Sequence, residues 1–176
     1  MIKLVLPSTD YKESYIAVAK DFIAEENPNA TNYKQLSISE LEENFADYVD
    51  KLHAQSRGER LPKGYVPATE YWIIKDNKYI GRVNIRHELN DHLENYGGHI
   101  GYNLVRWERG KGFGTDALRL ALPKAKELGL TRVLITCDEN NIASRRVIEK
   151  NGGIYKDKRQ ESPDKPVKLR YWLDLG

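Results

Sequence analysis

Apolar residues recur along this chain with two periods, and the switches between them lay out its elements. Ile2 to Leu6 reads as a short strand closed by Pro7. From about Thr9 the period lengthens. Tyr11, Tyr15, Ile16, Ala19, Phe22 and Ile23 share one helical face, and Asn27-Pro28 ends that helix. A second helix is predicted to open at Ser39, which forms a capping box with Glu42, and its stripe is Leu41, Phe45, Tyr48, Val49 and Leu52. Both stripes are those of helices that pack on a sheet. Residues 57–68, rich in Gly and Pro, form a loop, and Tyr71–Ile74 and Tyr79–Ile85 follow as a hairpin turned at Asp76-Asn77-Lys78.

The second half alternates strands and helices. A polar stretch over 89–98 ends in Gly97-Gly98, and the strand His99–Val105 leads into a glycine-rich turn at 110–114. A helix is predicted from about Gly112 to Leu128, stopped by Gly129, with a kink expected at Pro123 because proline removes a backbone donor. Arg132–Cys137 carries the apolar run Val133-Leu134-Ile135, the pattern of a strand covered on both faces. A helix over about Asn141–Lys150 ends at Asn151-Gly152-Gly153. Val167, Leu169, Tyr171 and Leu173 then alternate with Lys168, Arg170, Trp172 and Asp174 in a final half-buried strand. The order is β-α-α-β-β-β-α-β-α-β-β. It describes an α/β (α+β) chain, and 176 residues suit a single domain over 1–176.

Composition narrows the function. The 28 Lys and Arg nearly balance the 26 Asp and Glu, leaving a formal charge of +2, and hydrophobic residues make up 40%. That is a soluble globular balance without the basic stripe of a nucleic-acid binder; Lys156, Lys158 and Arg159 are interrupted by Asp157. The single cysteine, Cys137, excludes an internal disulfide and a multi-cysteine zinc cage. His87-Glu88 with His92 is spaced one residue too far to put both rings on one helical face, so no metal is expected. No apolar run approaches the roughly 20 residues that cross a bilayer, and the start lacks the pattern of a secretory signal, which points to the cytoplasm.

The most informative stretch is Tyr102 to Ala117. Glycines at 110, 112 and 114 permit positive φ and close approach, and the helix behind them aims free N–H groups and a positive dipole end at the same spot. Arg109 and Lys111 add charge, so the turn reads as a cradle for phosphate. It departs from the dinucleotide fingerprint at Thr115 and from the P-loop at Phe113. Glycines used for turn geometry alone are the other reading of this segment.

Arg109-Gly-Lys-Gly112-Phe-Gly114 resembles the acetyl-CoA signature of the GNAT acetyltransferase superfamily. Asn141-Ile-Ala-Ser144 followed by Glu149-Lys150-Asn-Gly152 is similar to that family's second motif, and the interval between the two fits as well. The resemblance spans essentially the whole chain. It implies a mixed, largely antiparallel sheet splayed between its fourth and fifth strands, and an N-acetyltransferase that moves acetyl from acetyl-CoA to a primary amine by direct attack in a ternary complex. The backbone of Arg109, Gly110, Lys111, Gly112, Phe113, Gly114 and Thr115 would hold the pyrophosphate. Tyr102 and Leu104 would pair with the pantetheine arm through their backbone, near Asn141 and Ser144, and Gly101 would mark a bulge or close approach.

Among catalytic groups, the Leu104 N–H is the family-like oxyanion donor. The tyrosine that often protonates the thiolate is replaced by Ile148, which leaves Ser144 as the candidate donor beside a plain helix-start role. His99 and Glu88 are candidates for the base, His99 having a structural hydrogen bond as its other reading. Glu88, Asp91 and Glu94 could also draw in a cationic amine. The acceptor, a small molecule or a peptide, would lie near loop 57–68, no nucleic acid or membrane is expected, and Tyr171 and Trp172 suggest a homodimer contact. A non-catalytic acyl-CoA-binding domain is the rival reading.

Overall fold

The computed structural model describes residues 1–25, 33 and 35–176. Its elements are β1 (Ile2–Val5), α1 (Lys12–Ala24), α2 (Ile38–Ser56), β2 (Ala68–Lys75), β3 (Lys78–Arg86), β4 (Ile100–Leu104), α3 (Phe113–Glu127), β5 (Arg132–Asp138), α4 (Ile142–Lys150), β6 (Ile154–Arg159) and β7 (Lys168–Asp174). This is the predicted order. The stop expected at Asn27-Pro28 lies outside the described residues.

Local details depart from the pattern where a nearby group competes. Ser37, not Ser39, caps α2: its hydroxyl accepts the Glu40 N–H, and Ser39 lies inside the helix. A single 3-10 turn at Thr9–Tyr11, capped by Ser8, precedes α1. α3 continues as one helix across Pro123. Irregular backbone lies at Asn44 inside α2, with φ −125° and ψ 38°. The β2–β3 hairpin turns on Asp76 and Asn77, both at positive φ, as a two-residue turn requires.

Two antiparallel sheets result, β1-β2-β3-β4 and β5-β7-β6. They meet at one strut. The His99 N–H donates to the Leu134 carbonyl at 2.7 Å, and the Leu134 N–H donates back to His99 Nδ1 at 2.9 Å. Beyond it β4 and β5 share no ladder, so the sheet is splayed between its fourth and fifth strands as expected. Gly98 makes this junction passable: its φ is +67°, and a Cβ there would lie 2.6 Å from the Leu134 carbonyl oxygen.

A register shift between Ile73 and Ile74 brings Tyr79 onto the face that carries Trp72 and Arg82. Aromatic rings from α1 and α2 pack there: Tyr15 stacks on Trp72 at 4.9 Å, and Phe45 touches both. Two charges are buried in this layer. Glu70, 5% exposed, accepts from Trp72 Nε1 and from the Arg82 guanidinium. α3 packs against β1, β3 and β4.

β7 is the middle strand of the second sheet and has no open edge. Tyr171, expected at a homodimer contact, is buried instead. Arg170 also departs from the alternating pattern. It is 2% exposed because Asp157 binds it through two oxygens and the Glu94 carbonyl accepts from it at 2.7 Å. Among the described residues no helix is long and apolar enough to cross a membrane.

Candidate active site

The splay opens a cavity of about 230 Å³. Its walls are Arg82, Asn84 and Arg86 from β3, Gly101, Tyr102 and Asn103 from β4, Thr136, Cys137 and Asp138 from β5, Asn141 and Ser144 at α4, and Lys168 from β7. The Val105 N–H bonds to the Ile80 carbonyl across the β3 side of β4. Backbone groups alternate along a strand, so those of Leu104 and Tyr102 face the open edge.

Below that edge lies the glycine turn. Gly110 and Gly112 sit at φ +75° and +86°, and Gly112 is the N-cap of α3. The first backbone bond of the helix runs from the Asp116 N–H to the Gly112 carbonyl. The N–H groups of Gly110, Lys111, Gly112, Phe113, Gly114 and Thr115 therefore have no backbone acceptor among the described residues. A Cβ at Gly110 or Gly112 would meet nothing within 4 Å, so the glycines border open space. Together these features form an anion nest on a helix N-terminus.

Arg109 is placed differently from the expectation. Its N–H is turned inward to the Arg106 carbonyl at 3.2 Å, and its Nε donates to the Leu104 carbonyl at 2.8 Å. The guanidinium grips both Glu25 oxygens at the end of α1 and lies 5.7 Å from the Phe22 ring centroid. The side chain thus ties the loop to α1. Lys111 bonds Glu108, which also holds Lys75. Burial would raise the Glu108 pKa, but these two ammonium groups hold it below the usual carboxylate range.

At the upper end, Asn141 caps α4 by accepting the Ser144 N–H at 3.0 Å. This leaves the Ser144 hydroxyl free of helix-start duty. It lies 2.9 Å from the Tyr102 hydroxyl, whose pKa burial pushes upward, so the phenol stays protonated at neutral pH. Ile148 is fully buried, and Cys137 beside the cavity has its thiol pushed up to about 11, by burial first and Asp138 second.

Neither base candidate is placed for proton abstraction. His99 is 7% exposed, its Nδ1 lone pair is occupied by the Leu134 N–H, and its pKa is lowered to about 4 by burial and then by Arg86 and Arg132. Glu88 is exposed beyond the end of β3 and does not line the cavity. Gly101 pairs with Asn84 in an unshifted register, so there is no bulge there. Sequence reading missed the wall made by Arg82, Asn84 and Arg86. Its signal was the alternation of these polar residues with Val83 and Ile85 on a strand. Among the described residues no group of three or more His, Cys, Asp or Glu is placed to hold a metal ion.

Comparison with known proteins places the chain in a family. Residues 9–154 match the profile of the acetyltransferase (GNAT) domain. The probable N-acetyltransferase YjcK of Bacillus subtilis (strain 168) is 27% identical over 135 residues, covering 76% of this chain and 74% of YjcK. Among solved structures, the ribosomal alpha-N-protein acetyltransferase RimL in complex with coenzyme A superposes with a TM-score of 0.71 at 17% identity, over 98% of this chain and 93% of RimL. The microcin C7 self-immunity acetyltransferase MccE, in complex with acetyl-CoA and AMP, gives a TM-score of 0.70 at 18% identity, over 98% of this chain and 92% of MccE. Likeness at these identities speaks for the fold.

Proposed function

This chain belongs to the GNAT acetyltransferase family, and from that premise we propose that it transfers acetyl from acetyl-CoA to a primary amine by direct attack within the splayed sheet. The observation that carries the reading is the pairing of a six-amide nest at Gly110–Thr115 with an open strand edge leading to the Tyr102–Ser144 hydroxyl pair. Such a nest suits a diphosphate, and the open edge suits an extended arm carrying amide groups. When bound, acetyl-CoA supplies an activated acyl carbon at the end of that arm.

The protein's own groups then divide the work. The amides from Gly110 to Thr115 hold the diphosphate, and Tyr102 aligns the arm through its backbone, while Arg109 holds the Leu104 carbonyl and leaves the Leu104 N–H at the edge. Asn141 holds the start of α4 beside it. The Leu104 N–H donates to the carbonyl oxygen as charge gathers there. Ser144 gives its proton toward the sulfur while Tyr102 donates to Ser144 Oγ. Cys137, with its raised pKa, holds its proton at neutral pH and is a poor nucleophile, which favours direct attack. His99 acts as the strut that sets the splay, and the acceptor amine loses its proton to water.

The test is thiol release from acetyl-CoA across a panel of amines, alongside calorimetric binding of coenzyme A. Amine-dependent release is expected. Binding without release would replace this reading with the non-catalytic one. Ser144→Ala should lower kcat by about 10- to 100-fold with the KM for acetyl-CoA little changed. Tyr102→Phe should have a smaller effect in the same direction, because Ser144 keeps its own proton. Glu25→Gln should raise the KM for acetyl-CoA about fivefold, since it loosens Arg109 and with it the nest. An unchanged KM would show that Arg109 does not hold the loop.

A further inference from the structure

β3 presents Arg82, Asn84 and Arg86 in succession to the cavity, and their electrostatics differ. Arg82 is answered by Glu70, and Lys168 across the cavity by Asp138. Arg86 has no such answer. Its Nη1 donates to the carbonyls of Gly98 at 3.0 Å and Gly97 at 3.3 Å, both neutral, and no carboxylate among the described residues lies within ion-pairing distance. Burial and then the charge of Arg82 lower its pKa. A guanidinium lining a cavity with only carbonyl partners is costly to keep, and a planar carboxylate complements its remaining N–H groups.

Two residues along the same strand face, the Asn84 Oδ1 is buried and accepts no hydrogen bond from the described residues. Only a donor can satisfy it, and an amine N–H is one. Residues two apart on a strand are separated by about 7 Å, a span that a short carbon skeleton with amine and carboxylate ends can bridge. Gly101, paired with Asn84 across β3 and β4, lies beside this wall and adds no side chain to it. The cavity, about 230 Å³, is below the roughly 300–1,000 Å³ of sites for drug-sized ligands, which favours a small molecule over a folded partner.

We propose that the acceptor is a small amine bearing its own carboxylate, of the free amino-acid class, with the carboxylate on Arg86 and the amine at Asn84 Oδ1 beside Gly101, in the cavity that Ser144 also lines. The proposal rests on the acetyltransferase reading of this cavity and deepens it. Transfer balances simply: the amine nitrogen bonds to the acyl carbon, the carbon–sulfur bond breaks, the sulfur takes a proton, and the nitrogen gives one up.

The experiment uses the full chain with acetyl-CoA and matched acceptors: glycine, glycinamide and methylamine, then β-alanine, its amide and ethylamine, then a glutamate-containing peptide. Rates are compared per unprotonated amine. Within each set the acid should show a KM at least about tenfold below its amide and its simple amine. Arg86→Gln should raise the KM of the acid about 10- to 100-fold without a comparable rise for the amide, and Arg86→Lys should recover part of the preference. Equal KM values for acid and amide, an equal loss for both in Arg86→Gln, or preference for the peptide would overturn the proposal. Calorimetry of the acids against the coenzyme A complex keeps the two readings apart. Acids that bind without thiol release uphold the carboxylate site and refute the catalytic reading, whereas thiol release from simple amines with no acid binding does the reverse.

Discussion

Gly112→Val will lower the affinity for coenzyme A by about 100-fold or more while leaving a folded protein. Gly112 sits at φ +86° as the N-cap of α3, a conformation that costs an L-residue about 1–2 kcal/mol, and more when it is β-branched. A Cβ there has no protein atom within 4 Å. The loss therefore comes from backbone strain in the nest and from a side chain in the open space where the proposed diphosphate would lie. Gly129→Val is the control. Gly129 has φ +88° and equally open surroundings, but lies at the far end of α3. It should lower Tm by a similar amount with no change in affinity. Equal affinity in the two variants, read by calorimetry, would remove the glycine turn from ligand binding.

His99→Ala will destabilise the fold by about 2–4 kcal/mol, because it strands the buried Leu134 N–H and empties the junction of the two sheets. The pH dependence identifies the mechanism. The ring is neutral in the folded protein, with a pKa of about 4 against an ordinary value of 6.5. Between those values the unfolded chain binds a proton that the folded chain refuses, so stability rises with pH and is lost as pH falls from about 6.5 to 4. The shift corresponds to about 3 kcal/mol for this one group. Denaturation between pH 4 and 7 should show this slope in the wild type and a flatter one in His99→Ala. A group titrating near 4 cannot set a rate profile at neutral pH. An inflection near pH 6–7 that vanishes in the variant would return His99 to the chemistry.

Much of the fold was legible from periodicity. α1 and α2 follow their apolar stripes, and Asp76-Asn77 turns the hairpin as turn chemistry requires. The errors were local competitions. Ser37 and Ser39 are both competent caps, and the Ser37 side chain reaches the Glu40 amide. Pro123, which weakened the expectation of a helix there, lies inside α3, which packs against β1, β3 and β4 and continues as one element across it. In the site, the nest at 110–115 was legible because its glycines encode backbone conformation directly. Arg109 was not, since its guanidinium is claimed by Glu25, a residue 84 positions away. Tyr102 was expected to act through its backbone, and the structure adds its hydroxyl, paired with Ser144 from another element.

By itself, the sequence determined what is written in short-range backbone chemistry: the order of strands and helices, the positive-φ nest, and the lack of a tyrosine at Ile148. The tertiary structure alone decided which charges are answered and which lone pairs are taken. His99 became a strut because Leu134 arrives from the neighbouring sheet, and Arg86 kept its charge uncompensated while Arg82 found Glu70. Partners of this kind are assigned by strand register and burial, which are properties of the assembled sheet and leave no periodic mark along the chain.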